Sequence, residues 1–308
     1  MKKISVALFA ALVASACCTR LPEMPPKRVT TLPAIAGSHA VEESSAIWRD
    51  ERRSRDVPVK IYAPADVSGP KPVVIFSHGI GEDRDSYAYI GRALAANGFL
   101  AVHVTHAGTD KAVLKTGYWN LYRATKKAGN WVNRPYDVSF VIDRLRTRTD
   151  ADMSRIAVAG HSAGAFTAFA LAGVTGLQGE SFRDGRVKVI VPMSMPKIEG
   201  LSYTDVRVPA LNITGTCDSS LIFRTRQRDR RVPFEQTTAL HQYLATIGDV
   251  NHDTFSNKTD PHHDTIVALT ILFLRAYLLD DATARAWFDE PGTTTIGRDR
   301  LTIETKSF

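Results

Sequence analysis

Ser162 stands in the pentad Gly160-His161-Ser162-Ala163-Gly164, a G-x-S-x-G pattern. A serine hydroxyl is a weak nucleophile at neutral pH. It becomes a strong one when an imidazole takes its proton and a carboxylate holds the imidazole in place. The chemistry open to such a set is acyl transfer: attack on a carbonyl, a covalent acyl intermediate, and release by water. Three fixed residues in five recur by chance in many chains, so the setting of the pentad carries the weight. An apolar β-like run at residues 155–159 precedes it, and a small-residue run of helical character at 163–172 follows. A serine on so sharp a strand-to-helix turn is forced into a strained backbone and presented at the end of a sheet. Gly160 and Gly164 remove side chains that would collide with the neighbouring elements.

The partners should follow in the order serine, acid, histidine. Asp218 closes Gly215-Thr216-Cys217-Asp218, directly after a predicted strand at 210–214. That is the carboxyl end of a strand, where catalytic groups gather in α/β sheets. Glu199 and Asp205 are the rival acids. His252, in Asn251-His252-Asp253, follows an apolar run at 243–247 that reads as the last strand. His262 and His263 compete from the start of the closing helix, where capping or a surface role suits them better. The developing oxyanion needs two preorganised N–H donors. The spacing assigns one to Ala163 and the other to Ile80, in the loop Ser77-His78-Gly79-Ile80-Gly81-Glu82. The expected catalytic set is therefore Ser162, Asp218 and His252, with backbone donors Ile80 and Ala163. This chemistry requires no metal and no organic cofactor.

The elements that must position these residues alternate. Residues 46–48 and 57–62 read as an antiparallel hairpin. Continuous apolar runs at 73–76, 99–104, 155–159, 187–191 and 210–214 read as strands buried on both faces. Helical patterns fall at 87–96, at 163–172 and at 266–279. Pro135 is expected to open a further helix through 144, with Val138, Val141, Ile142 and Leu145 on one face. Residues 106–132 read as irregular, and Trp119, Tyr122 and Trp131 there either wall a pocket or pack the loop onto the sheet. This alternation predicts an α/β fold, a mostly parallel sheet with helices on both faces.

The chain has 308 residues, 44% apolar and 23% charged, with a net charge of +7. Lys and Arg are scattered except at Arg224, Arg226, Arg228, Arg230 and Arg231, which read as a solvated basic surface. No concentrated basic motif points to nucleic acid. Cys217 is the one cysteine in the body of the chain, so the domain is expected to stand without disulfides. Lys2 and Lys3, the apolar residues 4–14 and the small residues Ala14-Ser15-Ala16 read as an export signal over residues 1–16. Residues 17–45, rich in proline, are expected to form a flexible tether, and 46–308 the catalytic domain. Ala14-Ser15-Ala16-Cys17 also resembles a bacterial lipobox. That resemblance implies a lipidated Cys17 and a cell-envelope lipoprotein, with membrane as a partner. Without lipidation the same signal implies a secreted or periplasmic protein.

Four features coincide: His78-Gly79-Ile80-Gly81, the Gly160–Gly164 turn, Gly215-Thr216-Cys217-Asp218 and Asn251-His252. Together they resemble the α/β-hydrolase superfamily over nearly all of residues 46–280. Within it the chain is similar to the predicted dienelactone hydrolase and platelet-activating-factor acetylhydrolase-like group, with its polyester hydrolase and cutinase relatives. Arg134-Pro135-Tyr136-Asp137 and Asn251-His252-Asp253-Thr254-Phe255 carry that narrower likeness. The resemblance implies a serine carboxylic-ester hydrolase acting on small-molecule, lipid or polyester esters. Two departures bear on substrate. Dienelactone hydrolases use cysteine where Ser162 stands. The mammalian acetylhydrolases take their acid one strand earlier, where this chain reads Met193-Ser194-Met195-Pro196. A peptidase or amidase on the same scaffold, or a catalytically silent surface lipoprotein, are the alternatives.

Overall fold

The computed structural model describes residues 18–28, 31–176, 181–220 and 224–306. The export signal over 1–16 and the lipidation residue Cys17 lie outside the described residues. Among the described residues ten strands form one sheet: β1 (Val41–Asp50), β2 (Arg55–Pro64), β3 (Lys71–Ser77), β4 (Leu100–Val104), β5 (Ala151–His161), β6 (Val187–Met193), β7 (Ala210–Cys217), β8 (Gln242–Asn251), β9 (Gly292–Ile296) and β10 (Asp299–Thr305). Their spatial order is β1-β2-β4-β3-β5-β6-β7-β8-β10-β9. The central run from β4 to β8 is parallel. Antiparallel hairpins finish both edges, β1-β2 at one and β10-β9 at the other. This is the α/β-hydrolase architecture.

Apolar residues on the central strands are buried on both faces, as their sequence requires. Val73 and Ile75 of β3 pack toward one layer, and Val74 and Phe76 toward the other. The first layer holds α4 (Ala128–Leu145) and α5 (Ala163–Ala172). The second holds α1 (Ala88–Ala96), α7 (His263–Leu278) and α8 (Ala282–Asp289). Helix α5 is buried at every position, which its small residues permit beneath the sheet's end. Two short helices, α2 (Lys111–Lys115) and α3 (Tyr118–Thr125), cross the top, and α6 (Val232–Gln236) lies between β7 and β8.

Several expectations change. Residues 106–132 are not irregular, since α2, α3 and the start of α4 occupy most of them. Pro135 lies inside α4 rather than at its start. The preceding turns are anchored by Trp131, which is buried, meets Phe166 edge-on at 5.2 Å and donates from Nε1 to the Thr125 carbonyl. The run at 243–247 is not the last strand, because β10 pairs with β8 from beyond α8. The sheet also starts at Val41, before residue 46.

The described part of the stretch read as a tether is docked. Thr19 N–H donates to the Thr216 carbonyl at 2.8 Å and Lys27 N–H to the Thr293 carbonyl at 3.0 Å. The Lys27 ammonium sits 3.8 Å over the Trp287 ring. Few large apolar residues are needed for this, because the segment's backbone groups find partners along the domain. Cys217 is not alone either. It forms a disulfide with Cys18, 199 positions earlier, with Cα atoms 4.2 Å apart. The cysteine count set Cys18 aside with the tether, and the docking of that segment brings it back to the end of β7.

Candidate active site

The carboxyl ends of β3 to β8 meet at one edge of the sheet, and every expected site residue lies there. Ser162 follows β5 and caps α5 with φ 55° and ψ −116°, a conformation that few non-glycine residues adopt. Its N–H is tied to the Met193 carbonyl at 2.9 Å. Glycine is required at 164 by contact: a Cβ there would lie 1.8 Å from the Ser77 carbonyl oxygen. The elbow thus presses against the end of β3. Ala163 opens α5, so the helix offers its N–H no acceptor. The loop carrying Ile80 runs alongside, since a Cβ on Gly79 would lie 3.5 Å from Ser162 Cβ. Tyr87 joins loop to elbow. Its hydroxyl accepts from Gly79 N–H at 3.2 Å and lies 2.9 Å from His161 Nδ1.

Asp218 is fully buried, and four groups converge on its carboxylate. Thr214 Oγ1 donates to Oδ2 at 2.8 Å. Oδ1 faces Ser194 Oγ at 2.8 Å, the Arg230 guanidinium at 3.0 Å and His252 Nδ1 at 3.2 Å. Burial alone would raise the Asp218 carboxyl, but the Arg230 charge and the His252 and Ser194 hydrogen bonds outweigh it. They hold the group well below the ordinary carboxylate range. The His252 ring lies 4.7 Å from the ring of His161, the neighbour of Ser162. The structure therefore brings Asp218 and His252 together beside the elbow. The rivals stand apart. Glu199 and Asp205 are solvent-exposed. His262 pairs with Asp299 at 2.9 Å, and His263 stacks on Tyr89 at 3.6 Å.

Ser194 and Arg230 were not anticipated. Ser194, with φ 55°, directly follows β6. Its hydroxyl is 2.7 Å from His252 Nδ1 as well as 2.8 Å from Asp218 Oδ1. Arg230 sits in the arginine cluster read as a solvated surface, yet it is buried. Arg231 beside it behaves as a surface residue, paired with Glu304 and Glu235. Arg230 donates to the Ser194 and Met195 carbonyls at 2.9 and 2.7 Å, and its NH2 lies 3.0 Å from His252 Nδ1. A guanidinium can only donate. Its contact with Nδ1 needs that nitrogen unprotonated, whereas a hydrogen bond from His252 to Asp218 needs it protonated. Only the second arrangement leaves Nε2 free to accept a proton. Nothing in the periodicity marks Arg230, because its role is a pairing between loops.

A second polar network braces the Ile80 loop from beneath. Ser77 Oγ is 2.9 Å from His106 Nε2, and His106 Nδ1 is 3.0 Å from Asp137 Oδ2. Arg53 and Arg55 each reach Asp137 Oδ1 at 2.8 Å. The spacing looks like a nucleophile relay, but Ser77 is fully buried and receives an N–H of Arg134 at 3.3 Å. The set is scaffold. Arg134 also donates to the His78 carbonyl, and to Thr109 and Thr167 at 2.7 and 3.1 Å. His78 Nε2 accepts the His106 N–H at 3.0 Å, so its Nδ1 carries the proton that meets the Gly79 carbonyl. Burial, with the Arg134 charge beside it, pulls His106 down to about 4. Its bond to the Asp137 carboxylate is therefore donated by a neutral imidazole rather than by an imidazolium, and the charge of that carboxylate is matched by Arg53 and Arg55. Arg134 and Asp137 both lie on the inward stripe of α4 with Val138 and Val141.

A chlorophyllase family model matches residues 34–182, just under half of the chain. The match covers the Ile80 loop and the elbow and ends before Asp218 and His252. Among curated proteins, the chain is 30% identical to a chlorophyllase type 0 of Chenopodium album, over 37% of this chain and 32% of that one. It is 27% identical to a platelet-activating factor acetylhydrolase of Cavia porcellus, over 36% of this chain and 34% of that one. A bifunctional acetylxylan esterase/xylanase of Neocallimastix patriciarum is 24% identical over 57% of this chain and 23% of its own length. The chain thus spans about a third or less of the curated relatives it matches.

Proposed function

We propose that this chain, an α/β-hydrolase whose relatives carry esterase and hydrolase names, is a serine hydrolase that cleaves carboxylic esters. Ser162 Oγ attacks the ester carbonyl while His252 Nε2 takes its proton. Asp218 holds Nδ1–H and stabilises the imidazolium that forms. The N–H groups of Ile80 and Ala163 receive the oxyanion, and one such donor contributes about 3 kcal/mol of barrier reduction. His252 then returns the proton to the leaving alcohol, and water, deprotonated by His252, releases the acyl group from Ser162.

The observation that carries this reading is the contact of the buried Asp218 with His252 at 3.2 Å, beside a serine held at φ 55°. The test is the Ser162→Ala variant with p-nitrophenyl acetate and a fluorophosphonate probe. Loss of both hydrolysis and labelling is expected. Activity near the original level would refute the assignment.

The same reading extends to location. We propose export, with Cys17 as the lipidated residue. The Cys18–Cys217 disulfide supports an oxidising compartment, where such bonds persist. Metabolic labelling with palmitate that is lost in Cys17→Ser tests the anchor, and equal labelling of both would refute it.

A further inference from the structure

Exposed large apolar side chains are concentrated at one place. Among the described residues there are seven, and Leu114, Tyr118, Trp119 and Tyr122 lie within nine positions of one another. Trp119 is the most exposed, at 73%. Helix α2 buries none of its residues, and α3 buries only Leu121 and Ala124. Tyr118 and Tyr122 are one turn apart on α3, and Trp119 meets Tyr122 edge-on at 6.0 Å. The outer face of this helix pair is thus an aromatic ridge with nothing packed on it among the described residues.

Within the helix pair the charge has one sign, although Asp110 holds the N-cap position of α2 and Asp83 and Glu82 lie beside Lys111. From Lys111 to Asn133 the chain carries Lys111, Lys115, Arg123, Lys126 and Lys127 and no acidic residue. All five are exposed. Lys111 has a distant partner in Asp83 at 4.0 Å, and Lys126 sits 5.1 Å over the Tyr122 ring. Lys115, Arg123 and Lys127 have no ion-pair partner among the described residues. Amphipathic aromatic rings ringed by unpaired cations suit the boundary of a bilayer. There Trp and Tyr settle at headgroup depth and Lys and Arg meet anionic phosphates.

The helix pair also touches the candidate site. A Cβ on Gly81, next to Ile80, would meet Leu121 at 3.2 Å and Leu114 at 3.4 Å. Gly81 N–H donates to the Thr109 carbonyl and Lys111 N–H to the Glu82 carbonyl, at 2.8 and 3.1 Å. A surface seated on α2 and α3 therefore lies at the rim of the Ile80 loop.

We propose that α2 and α3 form a docking surface for anionic lipid bilayers, which places the mouth of the site at the headgroup layer. The inference concerns binding and stands apart from the reaction assigned to Ser162. The test is co-sedimentation of the chain from residue 17 onward, carrying Cys17→Ser, so that neither the apolar residues 4–14 nor an acyl anchor contributes. The vesicles are phosphatidylcholine alone or phosphatidylcholine with phosphatidylglycerol. Binding to the anionic vesicles only, weakened by salt, is expected. Each interfacial cation contributes about fivefold in partitioning, so Lys115→Gln/Arg123→Gln/Lys127→Gln should weaken binding by about 100-fold. Trp119→Ser/Tyr118→Ser should weaken it by at least about tenfold. These residues are solvent-facing, and unchanged circular dichroism and melting show that the variants remain folded. Binding that is absent, indifferent to lipid charge, or unchanged in both variants overturns the proposal. So does a dimer in sedimentation velocity that Trp119→Ser dissociates, since the face would then belong to a second copy.

Discussion

The interior of this protein holds imidazoles in a state that acid must undo. His78, His103, His106 and His161 are all buried. Burial lowers each below the ordinary histidine value of 6.5, and His103 and His106 fall to about 4. His103 is packed between Tyr62 and Phe76, with ring centroids at 4.9 and 5.0 Å. His106 lies among Arg134, Asp137 and Ser77. Between pH 6.5 and 4 the unfolded chain binds protons at these positions and the folded chain does not. Stability therefore rises with pH through this window. It is fully present above about pH 6.5 and is lost as the pH falls toward the folded values. A fall from 6.5 to about 4 corresponds to about 3 kcal/mol for each of His103 and His106, or about 6–7 together. His78 and His161 act in the same direction. A whole domain is stable by about 5–15 kcal/mol, so a large part of that stability is expected to be lost by about pH 4. Asp137 and Asp218 are held below the usual carboxylate range, so the stability they add is lost only below about pH 4. Urea titrations from neutral pH down to about pH 4.5 should show the loss, with a slope of about 1.4 kcal/mol per pH unit for each histidine. His103→Gln should flatten that slope by one proton. Equal stability at neutral pH and at about pH 4.5 would refute the reasoning.

Arg230→Met leaves the buried Asp218 carboxylate without its guanidinium, and a loss of about 3–5 kcal/mol of unfolding free energy is expected in urea at neutral pH. Arg230→Lys should not restore it, because a single compact nitrogen cannot span the positions where NH1 meets the Ser194 and Met195 carbonyls and NH2 meets Asp218; a loss under about 1 kcal/mol in both variants would show that the pair is dispensable. The Cys18–Cys217 bridge spans 199 positions. Chain entropy for a loop of that size places its contribution at up to about 5 kcal/mol. Reductant should lower the melting temperature of the natural chain and leave Cys18→Ser unaffected, and a natural chain that melts identically with and without reductant would contradict this.

What could be read from the residues is what short-range sterics decide. The elbow is announced within five positions, and a Cβ at Gly160 would lie 2.6 Å from the Gly164 backbone, a clash inside the turn itself, whereas the demand for glycine at 164 comes from Ser77 on β3 and belongs to the tertiary structure. The parallel strands announce themselves as continuous apolar runs because both faces of the sheet are covered. Asp218 and His252 could be placed because each directly follows such a strand. Edge elements were less legible: β9 and β10 carry Thr, Gly and charged residues and owe their pairing to β8 rather than to an apolar pattern. Tertiary structure alone decided the rest. Arg230 reaches Asp218 from 12 positions away and Ser194 reaches His252 from 58. His106 meets Asp137 across 31 positions, and Cys18 meets Cys217 across 199. A buried charge is stable only where a partner completes it, and a disulfide forms only where two cysteines meet; both meetings are set by how distant segments are brought together by the fold. No local periodicity records such meetings, so the arginine read as surface proved to be buried against Asp218, and the cysteine read as lone proved to be paired.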